Sequence, residues 1–348
     1  MNDYNLEISD YIVDFNEVII NIKKNNFNKI LLQIPEGLKQ NFKEITDFLE
    51  SKTSSSYMIS ADPCFGACDL FNSEFIDLSF DCVIQIGHLP IPNTGDYKIP
   101  TFFVNAKSNI DISKIIEKAI PNLKGKKIGL TSTAQHVHML SIAGEILEKK
   151  GFQYYIGKGD DRIFSKGQIL GCNFSSATNI KDNVDCFLYI GSGNFHPLGL
   201  LLSTEKPVIV CDPYSNELRT DEIEELKDMI LRQRYGAIAR SKDANTFGII
   251  VGLKVGQNRI DLANKLKEKI KSKDKKAFIF TSNNFNPSNF ESFRDIDCFV
   301  STACPRIAID DYMQYKIPIL TPVELDILLG FKKWDDYKFD EILIKNTK

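Results

Sequence analysis

No apolar run in this chain approaches the roughly 18–20 residues that a membrane-crossing helix needs. The opening MNDYNLEISDYIVDF is acidic and mixed, without the basic and then apolar regions of a signal peptide. Lys and Arg number 43 against 46 Asp and Glu, so at a net charge of −3 there is no basic excess to draw the chain onto nucleic acid. Histidine is scarce too. Among His88, His136, His138 and His196 no pair stands at i, i+4 to grip a metal from one helix face. Paired cysteine spacing occurs once, at Cys64 and Cys68, with no second pair to complete a closed structural zinc site. These absences lead to the expectation of a cytoplasmic protein with no membrane and no direct nucleic-acid partner. In that compartment eight cysteines are not expected to form a disulfide framework.

What is present is the composition of a globular protein. Of 348 residues, 43% are hydrophobic and 26% charged, a length for two or three domains. One pattern returns three times. Asp81-Cys82, Asp185-Cys186 and Asp297-Cys298 each open an apolar run, and a Pro-led apolar stretch follows at Pro100, Pro207 and Pro318. From Cys to Pro the spacing is 18, 21 and 20 residues. Pro at the first residue of a strand is tolerated, because the missing N–H is not needed there. Upstream lie further buried strands at 29–34, 127–131 and 246–251, with helices expected near 38–51, 135–149 and 259–270. Short apolar runs alternating with amphipathic helices argue for α/β architecture with parallel sheets covered on both faces. The expectation is three similar α/β units, 1–108, 109–218 and 219–348. In open α/β sheets ligands bind beyond the carboxyl ends of the strands, and three such units could face one cleft.

The cysteines divide by position. Cys82, Cys186 and Cys298 sit inside the repeated strands, where cysteine behaves as a small hydrophobe, and Cys211 ends another strand. Cys68, Cys172 and Cys304 fall on loops at carboxyl ends. Cys68 and Cys172 each precede the strand Cys of their unit by 14 residues, and Cys304 follows Cys298 by six. One thiolate from each unit would make a three-thiolate site with an open position, suited to zinc or an iron–sulfur cluster. Spacing alone leaves a second reading equally open, three unlinked loop cysteines. Position 71 is Phe, so Cys64 and Cys68 do not extend into the C-x₃-C-x₂-C of the common radical S-adenosylmethionine enzymes.

At these residues the chain resembles the archaeal-type diphthamide synthases, 2-(3-amino-3-carboxypropyl)histidine synthases. The likeness rests on Gln33-Ile-Pro-Glu-Gly-Leu38, Phe65-Gly-Ala-Cys-Asp69, Gly167-Gln-Ile-Leu-Gly-Cys172, Gly191-Ser-Gly-Asn-Phe-His-Pro-Leu-Gly199 and Ala303-Cys-Pro-Arg-Ile307, and it spans nearly the whole chain. The resemblance implies three α/β domains around a central 4Fe-4S cluster, with Cys68, Cys172 and Cys304 as ligands and Cys64 as a neighbour. It further implies a transferase with S-adenosylmethionine as cosubstrate. By a radical mechanism the 3-amino-3-carboxypropyl group would pass to an imidazole carbon of a histidine in elongation factor 2. A homodimer and an electron donor of unknown identity complete the set. Two other functions remain beside it: a quinolinate-synthase-like iron–sulfur condensing enzyme, and a non-catalytic cluster-carrying scaffold subunit.

With the resemblance, Gly191, Gly193 and His196 are read as contacts to the methionine part of the cosubstrate, on a strand-to-helix turn whose N–H groups suit a carboxylate. Gln33, Pro35, Gly37 and Gln135 occupy the equivalent turns of the first and second units and are read as lining the same cleft. Glu36 reads equally as the acidic residue of a helix first turn. No general base is assigned, although His88 follows a repeated strand. Residues 231–235 are expected to end the helix that begins at Asp221, with Arg234 favourable there or, second, binding an anion. The ending 334–348 is expected to pack on the body or on a partner subunit.

Overall fold

The computed structural model describes residues 4–70, 78–92 and 97–344; the last four residues of the ending lie outside them. It is a mixed α/β fold with three mainly parallel sheets. The first carries Ser56–Ile59, Lys29–Gln33, Cys82–Ile86 and Thr101–Val104 in that order, every pair parallel. The second has the order Glu217–Leu218, Val208–Asp212, Cys186–Ile190, Lys127–Ser132 and Gln153–Tyr155, with Glu217–Leu218 antiparallel at one edge. The third orders Lys276–Ser282, Thr246–Gly252, Cys298–Ser301 and Ile319–Leu320, all parallel. Pro100, Pro207 and Pro318 each stand immediately before a strand, where no ladder N–H is lost.

The repeated Asp-Cys pair has a physical reason on both residues. Each cysteine is sealed in a core at 0% exposure. Each aspartate clasps the strand beside it. Asp81 Oδ2 accepts from the backbone N–H of Asn28 at 2.6 Å and Lys29 at 2.9 Å. Asp185 Oδ2 accepts from Lys126 at 2.8 Å and Lys127 at 2.9 Å. Asp297 Oδ2 accepts from Asn245 at 2.9 Å and Thr246 at 2.8 Å. In return the N–H of each aspartate donates to the carbonyl of Lys29, Lys127 or Thr246. The backbone N–H groups of Lys29 and Asn28 hold the Asp81 carboxyl below its ordinary value of 3.8. Its contribution to stability is therefore complete above 3.8 and is lost as the pH falls through the lowered folded value.

By contact the chain divides into two compact units. One holds residues 1–169, 175–192 and 209–218, and so contains the first two sheets apart from Val208; the other holds 170–174, 193–208 and 219–348. Both units are assembled from more than one segment of chain. The first unit also carries an antiparallel sheet of Asn5–Ile8, Tyr11–Asp14 and Ala106–Ser108. Strands of three and four residues are too short for an alternation to be read in sequence.

Two expected helices differ. The one placed at 135–149 begins only at Leu140, after a turn at Val137–Met139. Gln135 and His136 turn their side chains to Gly87 and Tyr214 instead of joining it. The helix from Asp221 does not stop at Tyr235 but runs without a break from Thr220 to Arg240. Arg234 is thus neither a terminal cation nor an exposed anion site: it is fully buried. Its guanidinium donates Nε to Glu324 Oε1 at 2.8 Å and Nη2 to Glu324 Oε2 at 2.6 Å. The carbonyls of Ala308 and Ile319 take two further bonds. Glu324 is itself the acidic member of the capping box that starts Pro322–Leu328.

Replacing Arg234 by Met leaves the Glu324 carboxylate buried without its cation, which costs about 3–5 kcal/mol. Asp297→Ala removes two hydrogen bonds at an exposed strand end and costs about 1 kcal/mol. Urea unfolding measures both. An Arg234 variant as mild as the Asp297 one would contradict the assignment of that pair to the core.

Candidate functional site

The loop after Ser56–Ile59 carries Cys68 on a single 3-10 turn, Ala67–Asp69. Asp69 ties the turn by accepting the Phe65 N–H at 3.0 Å, and its own N–H donates to Gly66 at 2.9 Å. Two glutamines on neighbouring strands hold the loop from beneath. Gln33 Nε2 donates to the Asp69 carbonyl at 3.2 Å, and Gln85 Nε2 to the Gly66 carbonyl at 3.2 Å. Both side chains are buried, Gln33 at 2% exposure and Gln85 at 0%. An amide buried in an apolar strand needs such partners, and here the partners are the backbone on either side of Cys68. Gln33 therefore stands under this loop. Gln85 went unnoticed in the sequence, although a polar residue inside Val83-Ile-Gln-Ile86 is the signal that marks it.

Cys172 stands at the tip of a two-residue turn closed by reciprocal bonds between Leu170 and Asn173, at 3.0 and 3.1 Å. The turn follows Gln168, which bridges in parallel to Ser132 at the carboxyl end of Lys127–Ser132. Gly171 is required by close approach: a Cβ there would lie 2.8 Å from the Phe195 ring. Cys304 follows Cys298–Ser301 and precedes the short helix Arg306–Ile309. Arg259 grips the two residues before it, donating Nη2 to the Ala303 carbonyl at 3.0 Å and Nε to that of Thr302. The same guanidinium pairs with both oxygens of Asp340, at 3.0 and 2.6 Å.

The remaining candidates distribute as follows. In the first unit, Gln135 Nε2 donates to the Gly87 carbonyl at 2.7 Å, and a Cβ on Gly87 would meet Pro35 Cγ at 2.9 Å. The turns bearing Pro35 and Gln135 are thus joined through Gly87. Gly37 is exposed, with nothing within 4 Å of where its Cβ would be. Gly191, at φ +150°, lies under the Tyr189 hydroxyl, 2.8 Å from a built Cβ. In the second unit Gly193, at φ +75°, precedes the helix Phe195–Thr204 in open space. His196 on that helix is half-buried, and its Nε2 lies 3.8 Å from the Cβ position of Gly171, beside Cys172. Arg306, two residues past Cys304, lies over the Phe195 ring at 4.9 Å. The second unit therefore brings the settings of Cys172, Cys304 and His196 together, and the first holds those of Cys68, Gln33, Pro35, Gln135 and Gly191.

Burial, and then Arg306, lowers the His196 imidazole to about 4, so at neutral pH the ring is uncharged. Burial likewise lowers His88 and His136 to about 4. Cys64 lies 4.0 Å from His88 Nδ1. Its thiol is pushed up to about 12 by burial and then by the charges of Asp69 and Cys68.

Among the described residues no three His, Cys, Asp or Glu side chains close on one point; thiolates are ligands for a soft metal ion or an iron–sulfur cluster. Cys68 and Cys304 are half-buried and Cys172 is 9% exposed, whereas Cys82, Cys186, Cys211 and Cys298 are at 0%. The loop cysteines are those that a soft metal group can reach.

The family model for diphthamide synthesis proteins matches residues 34–338. The 2-(3-amino-3-carboxypropyl)histidine synthase of Pyrococcus horikoshii is 37% identical over 94% of this chain and 92% of its own length. The synthase of the same name from Methanocaldococcus jannaschii is 29% identical over 97% and 93%. In Caenorhabditis elegans subunit 1 of that synthase is 28% identical over 92% of this chain and 81% of its own length. The crystal structure of Dph2 from Pyrococcus horikoshii with a 4Fe-4S cluster superposes at a TM-score of 0.85, with 35% identity over 97% of this chain and 95% of that one.

Thiol alkylation of metal-free protein follows from these settings. At pH 8 and without denaturant, iodoacetamide should label Cys68 and Cys304 first, and Cys82, Cys186, Cys211 and Cys298 only after unfolding. Cys64, with a thiol near 12, carries thiolate in only about one molecule in ten thousand and should lag far behind Cys68. Peptide mass spectrometry reads the order, and early labelling of Cys64 or of a strand cysteine would contradict it.

Proposed function

The chain belongs to the diphthamide synthesis protein family, and on that premise we propose that it is the synthase of the first step of diphthamide biosynthesis. It moves the 3-amino-3-carboxypropyl group of S-adenosylmethionine to the imidazole carbon of a histidine in elongation factor 2. Cys68, Cys172 and Cys304 hold its 4Fe-4S cluster. The observation that carries this reading is the placement of those three cysteines on carboxyl-end loops while four others are sealed in strands. Bound there, the cluster would supply the electron for cleavage of the bond between the sulfonium and the methionine γ-carbon.

The protein's part is to hold groups still. Gln33 and Gln85 fix the backbone around Cys68, and Arg259 fixes that before Cys304. Gly193 and the start of the helix Phe195–Thr204 offer backbone N–H groups to the methionine carboxylate. Asn194, pinned by Arg219 at 2.6 Å and Glu222 at 2.6 Å, keeps that turn in shape. Gly191 gives the backbone room, and neutral His196 serves as a hydrogen-bonding wall. In the first unit Pro35, Gly37 and Gln135 are read as cosubstrate contacts, with Gln33 acting through the Cys68 loop. The imidazole carbon gives up its proton in the transfer, and no general base is assigned to accept it among these residues.

The substrate partner is elongation factor 2, and the enzyme works in the cytoplasm as a homodimer with a separate electron donor. No helix is long and apolar enough to cross a membrane among the described residues. Relatives named as the synthase, and as its subunit 1, give no support to a quinolinate-forming enzyme or a bare scaffold.

Anaerobic reconstitution with iron and sulfide tests the ligands. Cys68→Ala, Cys172→Ala and Cys304→Ala should each lower cluster content, while Cys82→Ser, Cys186→Ser and Cys298→Ser should keep it and lose stability instead. Full loading of a triple loop-cysteine variant would end the assignment. Recognition is tested with carboxyl-labelled S-adenosylmethionine. Free histidine lacks the binding energy of a folded partner and should be a poor acceptor. Label is expected on elongation factor 2 and not on its target His→Ala variant or on free histidine; equal labelling of the three would refute the proposed partner.

A further inference from the structure

We infer that the segment 337–342 is a strap that sets the geometry of two cysteine loops at once, with Asp340 and Ile342 as positioning residues. The inference rests on the reading of Cys172 and Cys304 as cluster ligands and adds what holds them in relation to each other. All but its first two residues lie beyond 338, where the family match ends.

The strap reaches the Cys172 turn through its backbone. Ile342 N–H donates to the Cys172 carbonyl at 2.7 Å, and the Ile342 carbonyl accepts from Asn173 Nδ2 at 3.1 Å. Glu341 Oε1 accepts the Phe174 N–H at 2.7 Å. Three consecutive residues, 172–174, are thus bonded to two consecutive strap residues. The adjoining Asp340 reaches the other loop. Its carboxylate is bidentate with Arg259, whose remaining donors take the Thr302 and Ala303 carbonyls directly before Cys304. Asp340 is buried at 6% exposure.

Aromatic packing fixes the strap between these points. The Phe339 ring stands edge-on to Phe174 at 5.4 Å and to Phe195 at 5.9 Å. Tyr337 anchors the near end, its hydroxyl donating to Glu324 Oε1 at 3.4 Å. The two cysteines are separated by 132 residues of chain, so no local turn can set their spacing. A shared element bonded to both loops can. Outer partners of this kind orient metal ligands, and their loss typically costs 10–100-fold in affinity. A buried ion pair adds little net stability, and here it links the strap to the Cys304 loop.

The test uses the full-length chain, reconstituted anaerobically with iron and sulfide. Asp340→Asn, Arg259→Lys and Ile342→Pro, which removes the N–H given to the Cys172 carbonyl, are compared with Ile270→Ala, a buried change outside the strap and both loops. Readouts are iron and sulfide per chain, the electron paramagnetic resonance spectrum of the reduced cluster, the rate of iron loss to a chelator, and urea unfolding. The strap variants should lose iron about 10-fold faster and show an altered spectrum, while Ile270→Ala, though less stable, keeps the wild-type spectrum and rate. Wild-type spectrum and chelator resistance in Asp340→Asn and Ile342→Pro would overturn the strap. Equal iron loss in Ile270→Ala would also overturn it, by reducing the effect to general instability. Cys172→Ala and Cys304→Ala run alongside: both fully loaded would refute the ligand reading itself, a result distinct from failure of the strap alone.

Discussion

One carboxylate, used three times, pins at the strand heads the register that the buried apolar pattern of the sheets demands. Asp81, Asp185 and Asp297 each stand at the head of a central strand and accept two successive N–H groups from the start of the strand beside it. Two adjacent donors on one oxygen admit one register. A slip of one residue would turn every side chain of the strand to the other face, exposing the cysteine that follows the aspartate. With the amino ends clasped, the carboxyl ends are fixed as well. It is from carboxyl ends that the loops of Cys68, Cys172 and Cys304 leave.

Each loop is then braced by different chemistry. Amide side chains from strand interiors hold the Cys68 turn, reciprocal backbone bonds and the strap hold the Cys172 turn, and a guanidinium holds the approach to Cys304. The clasp repeats because strand pairing recurs in each sheet; the braces do not repeat because the loops differ in length and exit. An unpaired buried polar group costs free energy, and the amide N–H groups of Gln33 and Gln85 meet that demand on the loop backbone.

Much of this could be read in the sequence, for reasons that can be named. The parallel sheets announced themselves as short apolar runs led by Asp-Cys or by Pro. Burial of Cys82, Cys186 and Cys298 followed from their strand positions. The separation of loop from strand cysteines was visible by spacing, but whether the loop cysteines acted together was left open until their sequence contexts matched a family. Arg234 was misread because its helix continues through a stretch rich in cations, and the carboxylate that explains it, Glu324, is 90 residues away. Arg259 gave no signal at all, since its partners lie 43 to 81 residues further on. Long-range polar pairs leave no period in a sequence. In the sequence the strap is only a polar and aromatic ending, and its partners emerge from the fold alone.

The central claim is that this chain directs cleavage of S-adenosylmethionine to the methionine side of the sulfonium. The most direct measurement is chromatography of the nucleoside released when reconstituted, reduced enzyme is incubated anaerobically with S-adenosylmethionine and elongation factor 2. The account predicts methylthioadenosine in step with modified histidine. Release of 5′-deoxyadenosine as the main product would contradict it.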